Sequence, residues 1–102
     1  MLRAAATDTN QKQIVAAMRQ IGAAVVLTHQ IKNAFDCIAF YRGKTFVIEI
    51  KNPVSLPKEY DRDRLEKSLS EGELKCMELI QSKGVNYHII ATVDEALKML
   101  QT

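Results

Sequence analysis

The segment FDCIAFYRGKTFVIEIK, residues 35–51, decides the fold of this chain. Two apolar runs, 37–41 and 45–50, flank Arg42 and Gly43. Glycine adopts a positive φ at little steric cost, so this dipeptide is typical of the tight turn of a β-hairpin. If the turn contains only residues 42 and 43, directly opposite residues have numbers that sum to 85. The segment therefore predicts that Asp36 faces Glu49 across the hairpin.

Three charged side chains are expected to meet at the open end of this hairpin. Opposed residues share a face of the sheet, with Cβ atoms roughly 4.5–5.5 Å apart, and Lys51 shares the face of Glu49 because strand side chains alternate. Like charges opposite one another destabilise a strand pair. A divalent cation would remove the repulsion, since Mg²⁺ prefers one or two carboxylates, several waters and open positions for phosphate oxygens. We therefore predict that Asp36, Glu49 and Lys51 are catalytic, and that Asp36, Glu49 and the backbone carbonyl of Ile50 bind Mg²⁺ or Mn²⁺.

Two alternatives remain open at the level of sequence. Glu-x-Lys alone is a weak signal, and Glu49 and Lys51 could simply pair as solvated charges at an exposed strand end. A three-residue turn would place Asp36 and Glu49 on opposite faces, because a shift of one residue reverses every side chain of a strand.

An Asp near the end of one strand, followed by Glu-x-Lys on the next, resembles the motif of the PD-(D/E)xK nuclease superfamily. The closer resemblance, over nearly the whole chain, is to the small stand-alone VRR-NUC domains. It implies a restriction-endonuclease-like fold in one domain, residues 1–102, with the order α-β-β-β-α-β and a mixed four-stranded sheet flanked by helices. It also implies a metal-dependent DNA endonuclease that acts as a homodimer, with branched or four-way junction DNA as the substrate. The matching features are Gly22 after the first helix, Asp36, Glu49-Ile50-Lys51, Gly84 after a later helix, and a final helix from Thr92.

The chain departs from the family pattern in three places. The family commonly has Gly-x-Pro before the Asp, where this chain has Asn-Ala-Phe at 33–35. An early acidic residue of the family falls on Gln11, and a Gln of the later helix falls on Glu73, so both are auxiliary candidates by resemblance. Glu73 also has a structural explanation, because Ser70 three residues earlier makes a capping box. The departures leave open a catalytically inactive DNA-binding or protein-interaction module that retains the nuclease fold.

The remaining elements are predicted from periodicity and capping signals. A capping box of Asp8 and Gln11 is expected to open the first helix, and the apolar run 24–29 is typical of a strand covered on both faces. Leu79 is expected on the apolar face of the later helix. The order of strand, helix and strand predicts a parallel crossover from 45–51 to 85–91.

Composition limits the functional class. The chain has 102 residues, of which 47% are hydrophobic, which is enough for one core. A net charge of +2 argues against a polycationic nucleic-acid coat. Candidate DNA-backbone contacts are Lys58, Arg62 and Arg64, although the mixed charges of residues 52–67 equally suit a solvated surface loop.

Localisation is expected from what the sequence lacks. The N-terminus has no apolar core of a secretory signal, and no run approaches the ~20 apolar residues of a membrane span. Cys37 and Cys76 have no metal-ligand spacing and are expected to be free thiols. We therefore expect an intracellular, cytoplasmic protein in a reducing compartment.

Overall fold

A computed structural model describes the backbone of residues 2–102 and the side chains of residues 10–102. The strands form one sheet in the order β1-β2-β3-β4, antiparallel except for the parallel pair β3-β4. The expected mixed α/β architecture, a four-stranded mixed sheet with helices on its faces, is confirmed. The elements are α1 (Leu2–Gln20), β1 (Ala24–Leu27), β2 (Cys37–Tyr41), β3 (Lys44–Ile50), a 3₁₀ turn (Pro53–Ser55), α2 (Arg62–Lys67), α3 (Glu71–Gln81), β4 (Tyr87–Ile90) and α4 (Val93–Leu100).

The hairpin turn between β2 and β3 has the predicted length of two residues. Arg42 and Gly43 have φ values of 51° and 77°, and a type I′ turn requires positive φ at both central positions. Tyr41 pairs with Lys44, and the ladder keeps the predicted register as far as Cys37 and Ile48. The predicted pair of Asp36 and Glu49 lies just beyond the ladder. The alternative of a three-residue turn is excluded.

The first helix begins earlier than predicted. α1 starts at Leu2, so Asp8 lies inside the helix and the predicted capping box with Gln11 is wrong; the side chain of Asp8 is outside the described residues. The physical reason is the alanine run 4–6, because alanine has the highest helix propensity and extends the helix upstream. The end is as predicted: Gly22 has a φ of 108°, and the amides of Gly22 and Ala23 donate to the carbonyls of Arg19 and Met18, both at 3.0 Å.

The first strand is more exposed than predicted. β1 ends at Leu27 and forms an edge of the sheet. Val25 is buried, but Val26 and Leu27 are 53% and 44% exposed, so the expectation of a strand covered on both faces is wrong. The cause is tertiary: α1 packs against β1, whereas α2 and α3 contact β4 at the opposite edge of the sheet. Val26 projects from the face of β1 opposite to Val25 and stays exposed.

Each face of the sheet has its own apolar core. Leu79 is 63% exposed and belongs to neither core. It lies about 200° around α3 from the buried Met77, so its predicted position on the apolar face of this helix is wrong. In the described part of the chain, no helix combines the length and the apolar character needed to cross a membrane. The core under α1 and α4 includes Ile14, Met18, Cys37, Ile48, Ile90 and Met99. The core under α2 and α3 includes Val47, Leu65, Met77, Tyr87 and Ile89. Because side chains alternate along β3, Glu49 projects from the same face as Val47, into the second core.

Candidate active site

The three predicted catalytic residues come together where β3 ends. The amide of Asp36 donates to the carbonyl of Ile48 at 2.9 Å, although Ile48 already pairs with Cys37, so Asp36 stays bound to β3 without continuing the regular ladder. Oδ2 of Asp36 then accepts a hydrogen bond from the amide of Ile50 at 2.7 Å. Nζ of Lys51 lies 3.7 Å from Oε2 of Glu49. A short local segment therefore places two carboxylates and one ammonium group side by side.

Glu73 joins Asp36, Glu49 and Lys51 from the N-terminus of α3, and these four residues form the acidic cluster. Its Oε1 accepts hydrogen bonds from Nζ of Lys51 at 3.0 Å and from the amide of Ser70 at 2.9 Å. Oγ of Ser70 in turn accepts from the amide of Glu73 at 3.1 Å, which confirms the predicted capping box. One carboxylate thus caps a helix and holds the lysine of the site.

The cluster concentrates negative charge in a place with little water. Glu49 is 3% exposed. Desolvation, followed by the charges of Asp36 and Glu73, raises the pKa of Glu49 to about 9, against the opposing effect of Lys51. Desolvation also raises the pKa of Asp36, although the amide of Ile50 acts in the opposite direction. Without a cation, the folded state therefore favours the protonated forms of the Asp36 and Glu49 carboxyl groups.

The pKa of Glu73 shifts in the other direction. Partial burial would raise it, but the hydrogen bond from the amide of Ser70 and the ammonium group of Lys51 hold the pKa of Glu73 below its ordinary value. Glu73 is therefore the ionised partner of Lys51, whereas burial favours the protonated forms of Asp36 and Glu49.

The donor set around Asp36 and Glu49 suits a hard divalent cation. The amide of Ile50 binds Oδ2 of Asp36, which leaves Oδ1 as a ligand. The carbonyl of Ile50 faces the same side as its amide, because both groups of a strand residue point toward the same neighbouring strand. Two carboxylates and a carbonyl, completed by water, are the oxygen ligands that Mg²⁺ prefers. No group of three or more His, Cys, Asp and Glu side chains within residues 10–102 is arranged to hold an ion by itself, so the predicted set depends on the carbonyl and on water.

Gln11 has a different environment from the one that the family resemblance implies. It is buried on α1, and its Nε2 lies 3.1 Å from Nδ1 of His29, its hydrogen-bond partner. α1 packs on the face of the sheet opposite to Glu49. His29 is thus a hydrogen-bonded residue that anchors the end of β1 to α1.

The three candidate DNA-backbone contacts lie around α2. Lys58 is exposed in the loop before it. Nε of Arg62 donates to Oε2 of Glu66 at 2.7 Å, and the amide of Arg64 donates to the capping carboxylate of Asp61. Among the described residues, none of the three forms a hydrogen bond or an ion pair with the acidic cluster, so their contact with DNA stays a prediction.

Two residues of the site had no signal in the sequence analysis. Nδ2 of Asn10 donates to the carbonyl of Lys51 at 3.0 Å and ties α1 to the end of β3. Tyr87 is buried in β4, and after desolvation the charge of Glu49 is the largest influence that raises the pKa of its hydroxyl. The register of β4 on β3 would have revealed Tyr87, but that register depends on tertiary packing.

Comparisons with protein-family models, curated proteins and solved structures gave no match to this chain. Its function is therefore inferred from the geometry and chemistry of the residues described above.

Proposed function

We propose that this chain is a divalent-metal-dependent nuclease that hydrolyses phosphodiester bonds in DNA. The observation that carries the proposal is the convergence of Asp36, Glu49 and Lys51 at one end of a strand, in a setting that disfavours uncompensated carboxylates. The proposal includes a restriction-endonuclease-like fold and membership of the VRR-NUC group of the PD-(D/E)xK superfamily. The mixed four-stranded sheet and the two-residue hairpin are compatible with both.

Asp36, Glu49 and the carbonyl of Ile50 would hold Mg²⁺ or Mn²⁺. Such an ion, when bound, polarises the scissile phosphate and lowers the pKa of a coordinated water. The chain's own contribution is orientation: the amide of Ile50 holds Asp36 at 2.7 Å, and Glu73 holds Lys51 at 3.0 Å. A preorganised carboxylate needs no rearrangement when the ion and the substrate arrive.

Lys51 supplies the positive charge for the reacting phosphate. Its side chain is 16% exposed, whereas that of Glu49 is 4% exposed, so a phosphate can reach the ammonium group while Glu49 stays buried. The ammonium group then stabilises the charge that develops on the phosphate oxygens, or orients the attacking water. Electrostatic groups of this kind typically contribute about 3–4 kcal/mol to a transition state.

The proposal extends to a homodimer that cuts branched DNA, including four-way junctions. A chain of 11.5 kDa covers only part of a duplex, and two copies would present metal sites to opposite strands. Sedimentation velocity over a wide concentration range tests this extension. A monomer throughout would contradict the homodimer and leave the metal chemistry in place.

The alternative function is a catalytically inactive DNA-binding or protein-interaction module. It is favoured by the 3.0 Å contact that occupies Lys51 with Glu73 and by the hydrogen bond that occupies Gln11 with His29. An inactive module would bind DNA or protein equally well in the presence of a chelator.

A cleavage panel separates the two functions. Single-stranded, duplex, flapped and four-way DNA are incubated with the protein in Mn²⁺, in Mg²⁺ and in EDTA. We expect metal-dependent cleavage that falls roughly 100- to 1,000-fold in Lys51→Ala, since one charged group of the transition state is lost. Lys67→Ala is the matched control, because Lys67 forms only an exposed pair with Asp63. Cleavage that survives in Lys51→Ala, or that is absent from the folded parent protein in both metals, would contradict the proposal.

A further inference from the structure

Two buried oxygen atoms stand out among the described side chains. Oε1 of Glu49 and the hydroxyl of Tyr87 are the buried side-chain polar atoms there that have no hydrogen-bond partner. The two residues are 3% and 2% exposed. An unpaired buried polar group destabilises the folded state, and each case in a folded protein requires an explanation.

The two atoms belong to the same face of the sheet. In the parallel pair β3-β4, Val47 is opposite Tyr87 and Glu49 is opposite Ile89. Residues that are opposite one another share a face, and Val47 and Glu49 share it too because they are two positions apart. Tyr87 therefore projects from β4 on the side where Glu49 projects from β3.

The ring of Tyr87 extends toward the acidic cluster. It packs edge-on against Phe35, with ring centroids 6.5 Å apart and an interplanar angle of 80°. Phe35 directly precedes Asp36 in the chain, so Tyr87 packs against the segment that carries one carboxylate of the acidic cluster. Burial and then the charge of Glu49 raise the pKa of Tyr87, which keeps its hydroxyl a hydrogen-bond donor at neutral pH.

We infer that Tyr87 is a positioning residue for the metal site: when a divalent cation binds, its hydroxyl donates a hydrogen bond to Oε1 of Glu49 through one water molecule. Oε2 of Glu49 lies on the side of Lys51, so the two oxygens have different partners. The hydrogen bond orients the carboxylate and favours its ionised form when a divalent cation binds. The inference rests on the proposed function and adds a residue to it.

The test is Tyr87→Phe, which removes one oxygen atom. Mn²⁺ affinity is measured on the metal-free protein from the electron paramagnetic resonance signal of the free ion. We expect the affinity to fall about 10-fold, in the range of about 10- to 100-fold observed when an outer-shell partner of a metal ligand is removed. Stability in EDTA should stay unchanged or rise, because no hydrogen bond of the metal-free protein is lost. Any cleavage deficit should disappear at saturating Mn²⁺.

Tyr60→Phe is the matched control. The hydroxyl of Tyr60 donates to Oε2 of Glu95 at 2.7 Å, away from the acidic cluster. This variant should unfold at a lower urea concentration than the parent, because a hydrogen bond is lost, and it should keep the Mn²⁺ affinity of the parent. Lower Mn²⁺ affinity without a loss of stability in Tyr87→Phe, together with lower stability at unchanged Mn²⁺ affinity in Tyr60→Phe, is a result that a purely structural role for Tyr87 would not produce.

A second measurement keeps the inference testable if Tyr87→Phe does not fold. The parent chain, which contains three tyrosines, is labelled with 3-fluorotyrosine, and Tyr41→Phe and Tyr60→Phe assign two of the three fluorine resonances. Mg²⁺ should shift the third. Unchanged Mn²⁺ affinity in folded Tyr87→Phe, or an unshifted third resonance while Mg²⁺ binds, overturns the inference and leaves the proposed function standing. A parent protein that binds neither ion overturns both.

Discussion

Replacement of Glu49 by Gln should stabilise the metal-free protein at neutral pH. The amide has nearly the shape of the carboxyl group, and it carries no charge. Glu49 is buried beside Asp36, and Glu73 adds further negative charge nearby. The substitution thus removes the need to take up a proton on folding at neutral pH and leaves the packing of β3 intact.

The magnitude follows from proton linkage. The folded-state pKa of Glu49 is raised from an ordinary 4.5 to about 9, so the folded protein binds a proton that the unfolded chain releases above pH 4.5. The stability of the metal-free parent therefore falls as pH rises from 4.5 toward 9, by about 1.4 kcal/mol per pH unit. At pH 7 the cost reaches about 3 kcal/mol as an upper limit. The substituted amide takes up no proton, so Glu49→Gln should be more stable by up to this amount at pH 7 and equal to the parent near pH 4.

Urea unfolding in EDTA at pH 4 and pH 7 measures the difference. Glu59→Gln is the control, because Glu59 is an exposed carboxylate of the loop before α2 and its replacement should change stability by less than about 0.5 kcal/mol. Mn²⁺ at 100 times its dissociation constant should stabilise the parent by about 2.7 kcal/mol. The same concentration of Mn²⁺ should leave the stability of Glu49→Gln nearly unchanged.

Two results would refute this reasoning. The first is a Glu49→Gln variant that is no more stable than the parent at pH 7, and the second is an advantage of the same size at pH 4 and pH 7. Either result would mean that Glu49 is ionised at no cost, and the main electrostatic reason to expect a cation there would be lost.

Three further predictions concern the scaffold. A Cβ on Gly72 would overlap the side chain of Asn33. Gly72→Ala should therefore lower the free energy of unfolding by at least about 1 kcal/mol more in the parent than in an Asn33→Gly background, as measured by a double-mutant cycle in urea. Additive effects of the two substitutions would contradict the contact. Ser70→Ala should cost about 1 kcal/mol of stability in urea unfolding through loss of the bond that Oγ accepts from the amide of Glu73. It should leave metal-dependent cleavage nearly unchanged, because the backbone amide of residue 70 and Nζ of Lys51 still hold the carboxylate of Glu73. Met77→Ala should lower stability by about 2–5 kcal/mol, whereas Leu79→Ala, two residues along α3, should lower it by less than about 1 kcal/mol. Similar losses of stability in thermal unfolding of the two variants would show that the core-facing side of α3 is assigned incorrectly.

The predictions that failed share one cause. Capping signals near Asp8 and the apolar run 24–29 are local patterns that neighbouring structure can override. The alanine run carries α1 through Asp8, and Val26 on the second face of β1 stays 53% exposed. Leu79 likewise satisfied the apolar pattern but lies on the outer side of α3. Local propensity does not reveal which face of an element finds a partner.

The sequence by itself determined the hairpin and the part of the candidate site that depends on it. A two-residue turn leaves one register, and strand alternation then brings Asp36, Glu49 and Lys51 together over fewer than twenty residues. Only the tertiary structure decided that Glu73 contacts Lys51, that Asn10 binds the end of β3, and that Tyr87 lies on the same face as Glu49. These residues lie on elements distant in the chain, and their positions depend on how whole helices and strands pack. That packing follows from the burial of apolar surface, which is non-directional and sets no residue-to-residue register in the sequence.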